Sequence, residues 1–386
     1  MRVLVAPDSF KGSLDSVTVA QALADGWRRG RPADELVLAP LADGGEGTLE
    51  AIAAAGGWQT LPAAARDPLG RPLRARFLRD ERGDDRAVVE LAEASGLSRV
   101  PPAERDALVA STFGTGLVLA ATIGLGCRRI VLGLGGSATT DGGAGLLAAL
   151  GARFVDAAGN DIAPGGGGLA QLERVDLTGL SATLAEVQLT IASDVTNPLL
   201  GELGAAATYG PQKGASPEQV RNLDANLAHF ADLMEAATGP AVRDVPGAGA
   251  AGGTTFGLLA REERFAALDV RPGVEVVMEL TRFEAALPGA DLVLTGEGRV
   301  DAQTAHGKTA LGVARLALAA GRPCLVFGGG VTPEGAAALA DVGAIVVPVS
   351  EGPGTVEAAM AAGTGPLERA AERTAHLVGL ARQLPA

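Results

Sequence analysis

Along this chain one order of parts keeps returning: a short run of aliphatic and β-branched residues, a loop that holds glycine and a carboxylate, and then an alanine-rich amphipathic stretch. RVLVA, ELVLAP, AVVELA, RIVLGLG, QLTIAS, DLVLTG, CLVFGG and AIVVPV read as strands, and residues 16–29, 107–123, 143–150, 217–237, 308–320, 333–341 and 366–382 as helices. Strands alternating with helices predict βαβ units and parallel sheet. Asp15 or Ser16 can cap the first helix, and Ser216 followed by Pro217 and Glu218 starts the one at 217. Aromatic residues are only 3% while glycines number 55, so the cores must be filled by Ala, Val, Leu and Ile on closely approaching backbones. Helices layered on sheets meet that requirement.

At 386 residues the chain exceeds the size at which a single core usually stops growing, so two domains are expected. Two stretches interrupt the rhythm: the arginine-rich PAAARDPLGRPLRARFLRDERGDDR at 62–86, read as a solvated face, and DVRPGVEVVMELTRFEAALPG at 269–289. Outside them lie five strand runs, two N-terminal and three C-terminal, enough for a complete doubly wound parallel sheet. The expected fold class is α/β, with a discontinuous domain of residues 1–65 plus 290–386, a second α/β domain at 66–289 inserted in it, and the active site in the cleft between them.

Composition removes several functions. A net charge of −13 argues against binding a nucleic-acid backbone, which needs a basic face. No apolar run approaches 18 residues and VLVA is too short for a signal core, so a cytoplasmic protein with no membrane partner is expected. Cys127 and Cys324 stand far apart with no CxxC pairing, which indicates neither disulfide nor zinc site.

Ligands of open α/β sheets bind outside the carboxyl ends of the strands. Five strand runs lead there into acid-and-glycine loops: RVLVAP into Asp8, Ser9 and Lys11; LVLAPL into ADGGEGT; RIVLGLGG into SATTDGGAG; LTIAS into DVTNP; DLVLTG into EGRVDAQ. Such loops suit magnesium and phosphate. Glycine lets backbone N–H groups reach phosphate oxygens, and Ser137, Thr139 and Thr140 add donors beside Gly136. Magnesium wants one or two carboxylates plus phosphate oxygens and water, which Asp43 with Glu46, or Asp141, could supply. Only three of the 32 basic residues are lysine, Lys11, Lys213 and Lys308, and each touches a glycine. Lysine brings a mobile point charge to phosphates where arginine brings a planar fork.

Blander patterns compete. GKT at 307–309 lacks the earlier glycine of a Walker loop, Ala302 standing in its place. GLGGSA at 133–138 fits a relaxed dinucleotide fingerprint, but no acid-tipped strand follows at the right distance, which disfavours an NAD(P)-dependent reductase. Glu90 and Glu93 can line a cleft or cap backbone; His229 and His376 fall on helical stretches, and His306 stands beside Gly307 and Lys308. A pure binding protein would have little use for five carboxylate loops, since gathered negative charge destabilises a fold unless a cation or a reaction uses it.

APDSFKGSL, PLADGGEGT, GLGGSATTDGGAG, SDVTNPLLG, YGPQKGA, PGAGAAGG and TGEGRVDAQTAHGK, in that order, give the chain a resemblance to the bacterial glycerate kinase family, the type that includes the glycerate 2-kinases of glyoxylate and sugar-acid catabolism. It runs from residue 1 to about 350; the segment 71–86 and the C-terminal tail match no motif. The resemblance implies a flavodoxin-like domain carrying an inserted α/β domain. It also implies phosphorylation of D-glycerate by ATP with Mg2+, giving 2-phosphoglycerate, with another small hydroxy acid as the alternative acceptor. On this footing the γ-phosphate is expected at Gly136–Thr140 and at one or two of Lys11, Lys213 and Lys308. Magnesium falls to Asp43, then Glu46 or Asp141. Asp194 is expected to take the hydroxyl proton with Asn197 orienting it, Asp8 being the alternative, and Ser9 with Arg299 to hold the glycerate carboxylate.

Overall fold

The computed structural model describes the chain apart from residues 303, 305–308, 353–354 and 384–386 and the side chain of 356. Its strands are β1 (Arg2–Val5), β2 (Glu35–Leu38), β3 (Trp58–Arg66), β4 (Pro72–Asp80), β5 (Arg86–Glu90), β6 (Arg129–Gly133), β7 (Arg153–Val155), β8 (Arg174–Asp176), β9 (Gln188–Ala192), β10 (Ala267–Arg271), β11 (Leu292–Val300), β12 (Cys324–Val331) and β13 (Ile345–Pro348). The chain divides into two compact units. Met1–Asp43, Glu50–Gly56 and Val274–Ala386 form the first; Gly44–Leu49 and Gly57–Gly273 form the second.

The first unit holds a five-stranded sheet in the order β2-β1-β11-β12-β13, every pairing parallel. Counted by its own strands this is 2-1-3-4-5, the flavodoxin-like doubly wound order, and the direction of winding reverses between β1 and β11. Val3 and Val5 pair with Leu292 and Leu294 across that point, so β11 continues to Val300 beyond the end of β1. The helix Ser16–Gly30, capped by Asp15 accepting from the Thr18 N–H, buries Val19, Leu23 and Trp27. It lies backbone-close to the helix Gly365–Ala381: a Cβ on Gly26 would stand 2.1 Å from the Glu368 carbonyl oxygen.

The second unit is built on a six-stranded sheet, β10-β9-β6-β5-β4-β3, in which the first four strands run parallel and β4 and β3 form an antiparallel hairpin. β7 and β8 make a separate two-stranded ribbon. The hairpin is the arginine-rich stretch in which no βα rhythm was legible. Ala75 and Phe77 are buried while Arg74 and Arg76 face out, so this part of the stretch has the period-2 pattern of a half-solvated edge ribbon. Pairing from Trp58↔Asp80 to Arg66↔Pro72 keeps the hairpin whole, so the units change at Gly56/Gly57 rather than 65/66. At the other seam, residues 269–289 supply the end of β10 and the helix Gly273–Leu280, and the change falls at Gly273/Val274 rather than 289/290. The helix expected over 107–123 begins only at Phe113. Pro217–Thr238 opens with a complete Ser216/Gln219 capping box. Among the described residues no helix is long and apolar enough to cross a membrane.

Candidate active site

In the first unit the switch point carries a compact set of charges. Asp8 follows β1; its Oδ1 accepts the Ser9 N–H at 2.6 Å and its Oδ2 accepts the Thr309 hydroxyl at 2.7 Å, at the start of the helix Thr309–Ala319. Burial pushes the Asp8 carboxyl above its usual range; the Thr309 bond pulls it back and the charge of Asp43 pushes again. Lys11 donates from Nζ to Asp43 Oδ2 at 3.0 Å, and its side chain is 79% exposed. The end of β11 lies alongside, because a Cβ on Gly298 would stand 3.0 Å from the Phe10 Cα. Arg299, one residue on, is exposed and pairs through Nε with Asp301 at 3.1 Å. Asp8, Ser9, Lys11 and Asp43 are thus together in the first unit. Lys308 and His306 lie outside the described residues. Glu297 and Thr309 were not singled out by the sequence reading: Glu297 is buried in the second half of β11 and accepts from the Thr304 hydroxyl at 2.6 Å. Their signal was position, one in a strand's second half and the other at a helix's first residue.

In the second unit the carboxyl ends of β5, β6 and β9 receive the segment Gly44–Leu49. The contact is backbone on backbone. A Cβ on Gly133 would stand 2.7 Å from the Gly44 oxygen and one on Gly135 2.2 Å from the Gly45 Cα, while the Gly135 N–H donates to the Gly44 carbonyl at 3.1 Å. These glycines are used for chain crossing. Glu90 does capping work, its carboxylate accepting the Gly47 and Leu49 N–H groups at 3.3 and 3.0 Å. Glu46 is exposed beside Gly136, whose Cβ would stand 3.7 Å from that of Glu46.

The SATTDGG loop that follows turns inward. Ser137 Oγ lies 2.8 Å from Thr139 Oγ1, and both are buried; Thr140 Oγ1 is buried with no hydrogen-bond partner among the described residues. The expected hydroxyl donors therefore face the interior. Asp141 is 1% exposed and closed round by five donors: the Thr112 N–H and hydroxyl, the Ser111 hydroxyl, and the Gly143 and Gly145 N–H groups. Burial pushes its carboxyl up against their pull. It anchors the loop, and its place among the expected metal ligands is withdrawn because its oxygens are already taken. Lys213 is 3% exposed and donates from Nζ to the Thr139 carbonyl at 2.5 Å. Burial pulls its ammonium down to about 8 while Asp141 pulls it back up. The expectation that Lys213 meets phosphate is replaced by a hold on the loop from behind.

At the end of β9, Asp194 is exposed and its Oδ1 accepts the Gly273 N–H at 2.9 Å. Asn197 points elsewhere: its amide donates to the Leu203 carbonyl at 2.8 Å and its Oδ1 accepts the Tyr209 hydroxyl at 2.8 Å. Its expected role as an orienter of substrate gives way to one as an orienter of its own loop. PGAGAAGG backs both loops, with a Cβ on Gly249 falling 2.2 Å from the Pro198 oxygen and one on Gly252 2.0 Å from the Thr139 oxygen. Among the described residues no three His, Cys, Asp or Glu side chains gather as a metal site.

The glycerate kinase family model matches residues 3–379 of the chain. The chain belongs to the glycerate kinase family. It is 44% identical over 335 residues to the glycerate kinase of Bacillus subtilis, and 43% identical over 335 residues to the glycerate 2-kinase of Escherichia coli K12, with 86% of each chain covered in both cases. A crystal structure from Salmonella typhimurium LT2 that carries a provisional glycerate kinase 2 assignment superposes with a TM-score of 0.84 at 40% identity, covering 100% of both chains. Family membership makes this kinase an enzyme of ATP-dependent phosphoryl transfer to glycerate, with ATP as phosphoryl donor.

Proposed function

We propose that the chain transfers the γ-phosphoryl group of MgATP to the 2-hydroxyl of D-glycerate, using groups at strand ends. The observation that carries this reading is the exposed Lys11–Asp43 pair at the switch point of a flavodoxin-order sheet. Phosphoryl transfer asks the protein mainly for positioning and neutralisation of charge. Lys11, on an exposed flexible stem, meets the β- and γ-phosphates. Asp43 fits Mg2+ as a single carboxylate beside phosphate and water, which is how this ion is usually held, and Glu46 is the second candidate. When bound, the ion would offset the charge of the phosphates. Backbone at Gly136, where φ is +73°, takes the phosphate role once assigned to the neighbouring hydroxyls.

Asp194 accepts the proton of the acceptor hydroxyl. Its carboxylate is exposed and aimed by the Gly273 N–H. Asp8 has both oxygens engaged, on Ser9 and Thr309, and serves to hold the loop of Lys11 against the helix Thr309–Ala319. Arg299 and Ser9 receive the glycerate carboxylate. The relative named glycerate 2-kinase supports the 2-position. The test is a phosphorus NMR spectrum of the product made from D-glycerate and MgATP: 2-phosphoglycerate is expected, and 3-phosphoglycerate would overturn the regiochemistry. Erythronate and tartronate, assayed by ADP release, should turn over more slowly than D-glycerate.

A further inference from the structure

We infer that residues Tyr209–Lys213 form a two-ended clamp that fixes the β9-end loop bearing Asp194 and the β6-end loop Gly136–Asp141, which makes Tyr209 and Lys213 positioning residues for phosphoryl transfer. This rests on the roles proposed above for Asp194 and Gly136.

The two loops leave neighbouring parallel strands, with Gly133 in register with Ala192. One short segment reaches both. At its first residue the Tyr209 hydroxyl donates to Asn197 Oδ1 at 2.8 Å, and Asn197 returns an amide bond to the Leu203 carbonyl at 2.8 Å. At its last, Lys213 Nζ donates to the Thr139 carbonyl at 2.5 Å. Between them Pro211–Lys213 is a 3-10 turn, with the Lys213 N–H on the Gly210 carbonyl at 3.0 Å. Gly214 then leaves at φ +94°, where a Cβ would stand 2.8 Å from the Arg105 oxygen, so the turn has little room to shift. The segment is short, internally bonded and backed by protein, as a rigid spacer must be.

The chemistry at each end points the same way. The chain has one tyrosine, half-buried, and burial raises its phenol so that it remains a hydroxyl donor. An ammonium buried at 3% exposure is a costly way to fill space, and an aliphatic side chain would fill it at less cost. What lysine adds is a donor long enough to hold the Thr139 carbonyl. Because Thr139 Oγ1 is bonded to Ser137 Oγ at 2.8 Å, that hold reaches the residue next to Gly136.

The experiment compares purified Tyr209→Phe, Lys213→Met and Asp194→Asn with wild type for kcat, for KM of ATP and of glycerate, and for urea midpoint. Misplacement of a reacting group by a fraction of an ångström costs roughly tenfold or more in rate. Tyr209→Phe is expected to lower kcat about tenfold with KM for ATP within about twofold, and Lys213→Met to raise KM for ATP about tenfold with kcat little changed. A merely structural pair would leave the constants of the folded fraction as in wild type whichever way the urea midpoint moved, and that result overturns the clamp. Wild-type kinetics in Tyr209→Phe alongside a dead Asp194→Asn overturns the clamp while sparing the base. Wild-type turnover in Asp194→Asn overturns the base, and the clamp's catalytic role falls with it.

Discussion

Lys11 Nζ lies 3.0 Å from Asp43 Oδ2 at the switch point of the five-stranded sheet, with the lysine 79% and the aspartate 38% exposed. A pair this exposed adds at most about 1 kcal/mol to stability. Its location is therefore better explained by what it meets than by what it holds together. Lys11→Met is expected to lower kcat on the order of a hundredfold, the usual effect of removing one charge-stabilising donor, while the urea midpoint stays close to wild type. A near-normal kcat would remove Lys11 from the phosphate.

Asp194 and Asp8 sit at two strand ends and differ in how their oxygens are used. Asp194→Asn keeps the shape and the Gly273 bond but removes the base, so kcat should fall by about a hundredfold or more with ATP affinity retained by calorimetry. In Asp8→Asn the Thr309 bond is weakened and the loop of Lys11 loosens, so KM for ATP should rise along with any loss in kcat. A reversed pattern would exchange the two roles.

Lys213 links stability to pH. Its ammonium titrates near 8 in the fold, against 10.5 for an ordinary lysine, because burial disfavours the charge. Between those values the unfolded chain binds more protons than the native one, so this group's contribution to stability rises with pH across that window. Below about 8 the penalty is fully present. Lys213→Met should accordingly unfold at a higher urea concentration relative to wild type near pH 7, with the gap narrowing towards pH 10. A gap constant across that range would mean that Lys213 titrates normally.

Gly135 faces Gly45 so closely that a Cβ would stand 2.2 Å from its Cα. Neither backbone can yield without moving a strand end, so Gly135→Ala should cost about 1–3 kcal/mol in chemical denaturation. Since Gly45 precedes Glu46, activity should fall with it. Full activity and stability would mean that the crossing is looser than described.

The strand runs that alternate apolar and glycine-acid segments were legible because parallel strands buried on both faces read as continuous aliphatic runs. The β3–β4 hairpin was not. There Arg74, Arg76 and Arg79 stand between buried residues, and the charge hides the alternation. The site was legible as a set of loops but not as a set of directions. Lys11 and Asp43 meet near the surface, whereas Asp141, Thr139 and Lys213 carry the same residue types into the interior, where Lys213 satisfies the Thr139 carbonyl and Thr112 satisfies Asp141. Sequence gives which atoms can donate or accept. Whether a loop's carboxylate points to a ligand or to Thr112 depends on packing from distant segments.

Ala251 has φ +51° and ψ +43° and is followed by Gly252 and Gly253, which are also left-handed. A residue with a Cβ pays about 1–2 kcal/mol for that conformation, whereas glycine adopts it without strain and gives back roughly 0.4–1 kcal/mol through a more flexible unfolded chain. The strain exceeds the entropic loss, so Ala251→Gly should stabilise the kinase by about 0.5–1 kcal/mol and raise its Tm by a degree or more in calorimetry. The methyl group is partly buried against the core of the second unit, and its removal works in the other direction. A lower Tm would show that this packing outweighs the strain, and would place Ala251 among the residues that hold the Thr139–Gly142 loop through the Gly252 carbonyl, which accepts the Gly142 N–H at 3.0 Å.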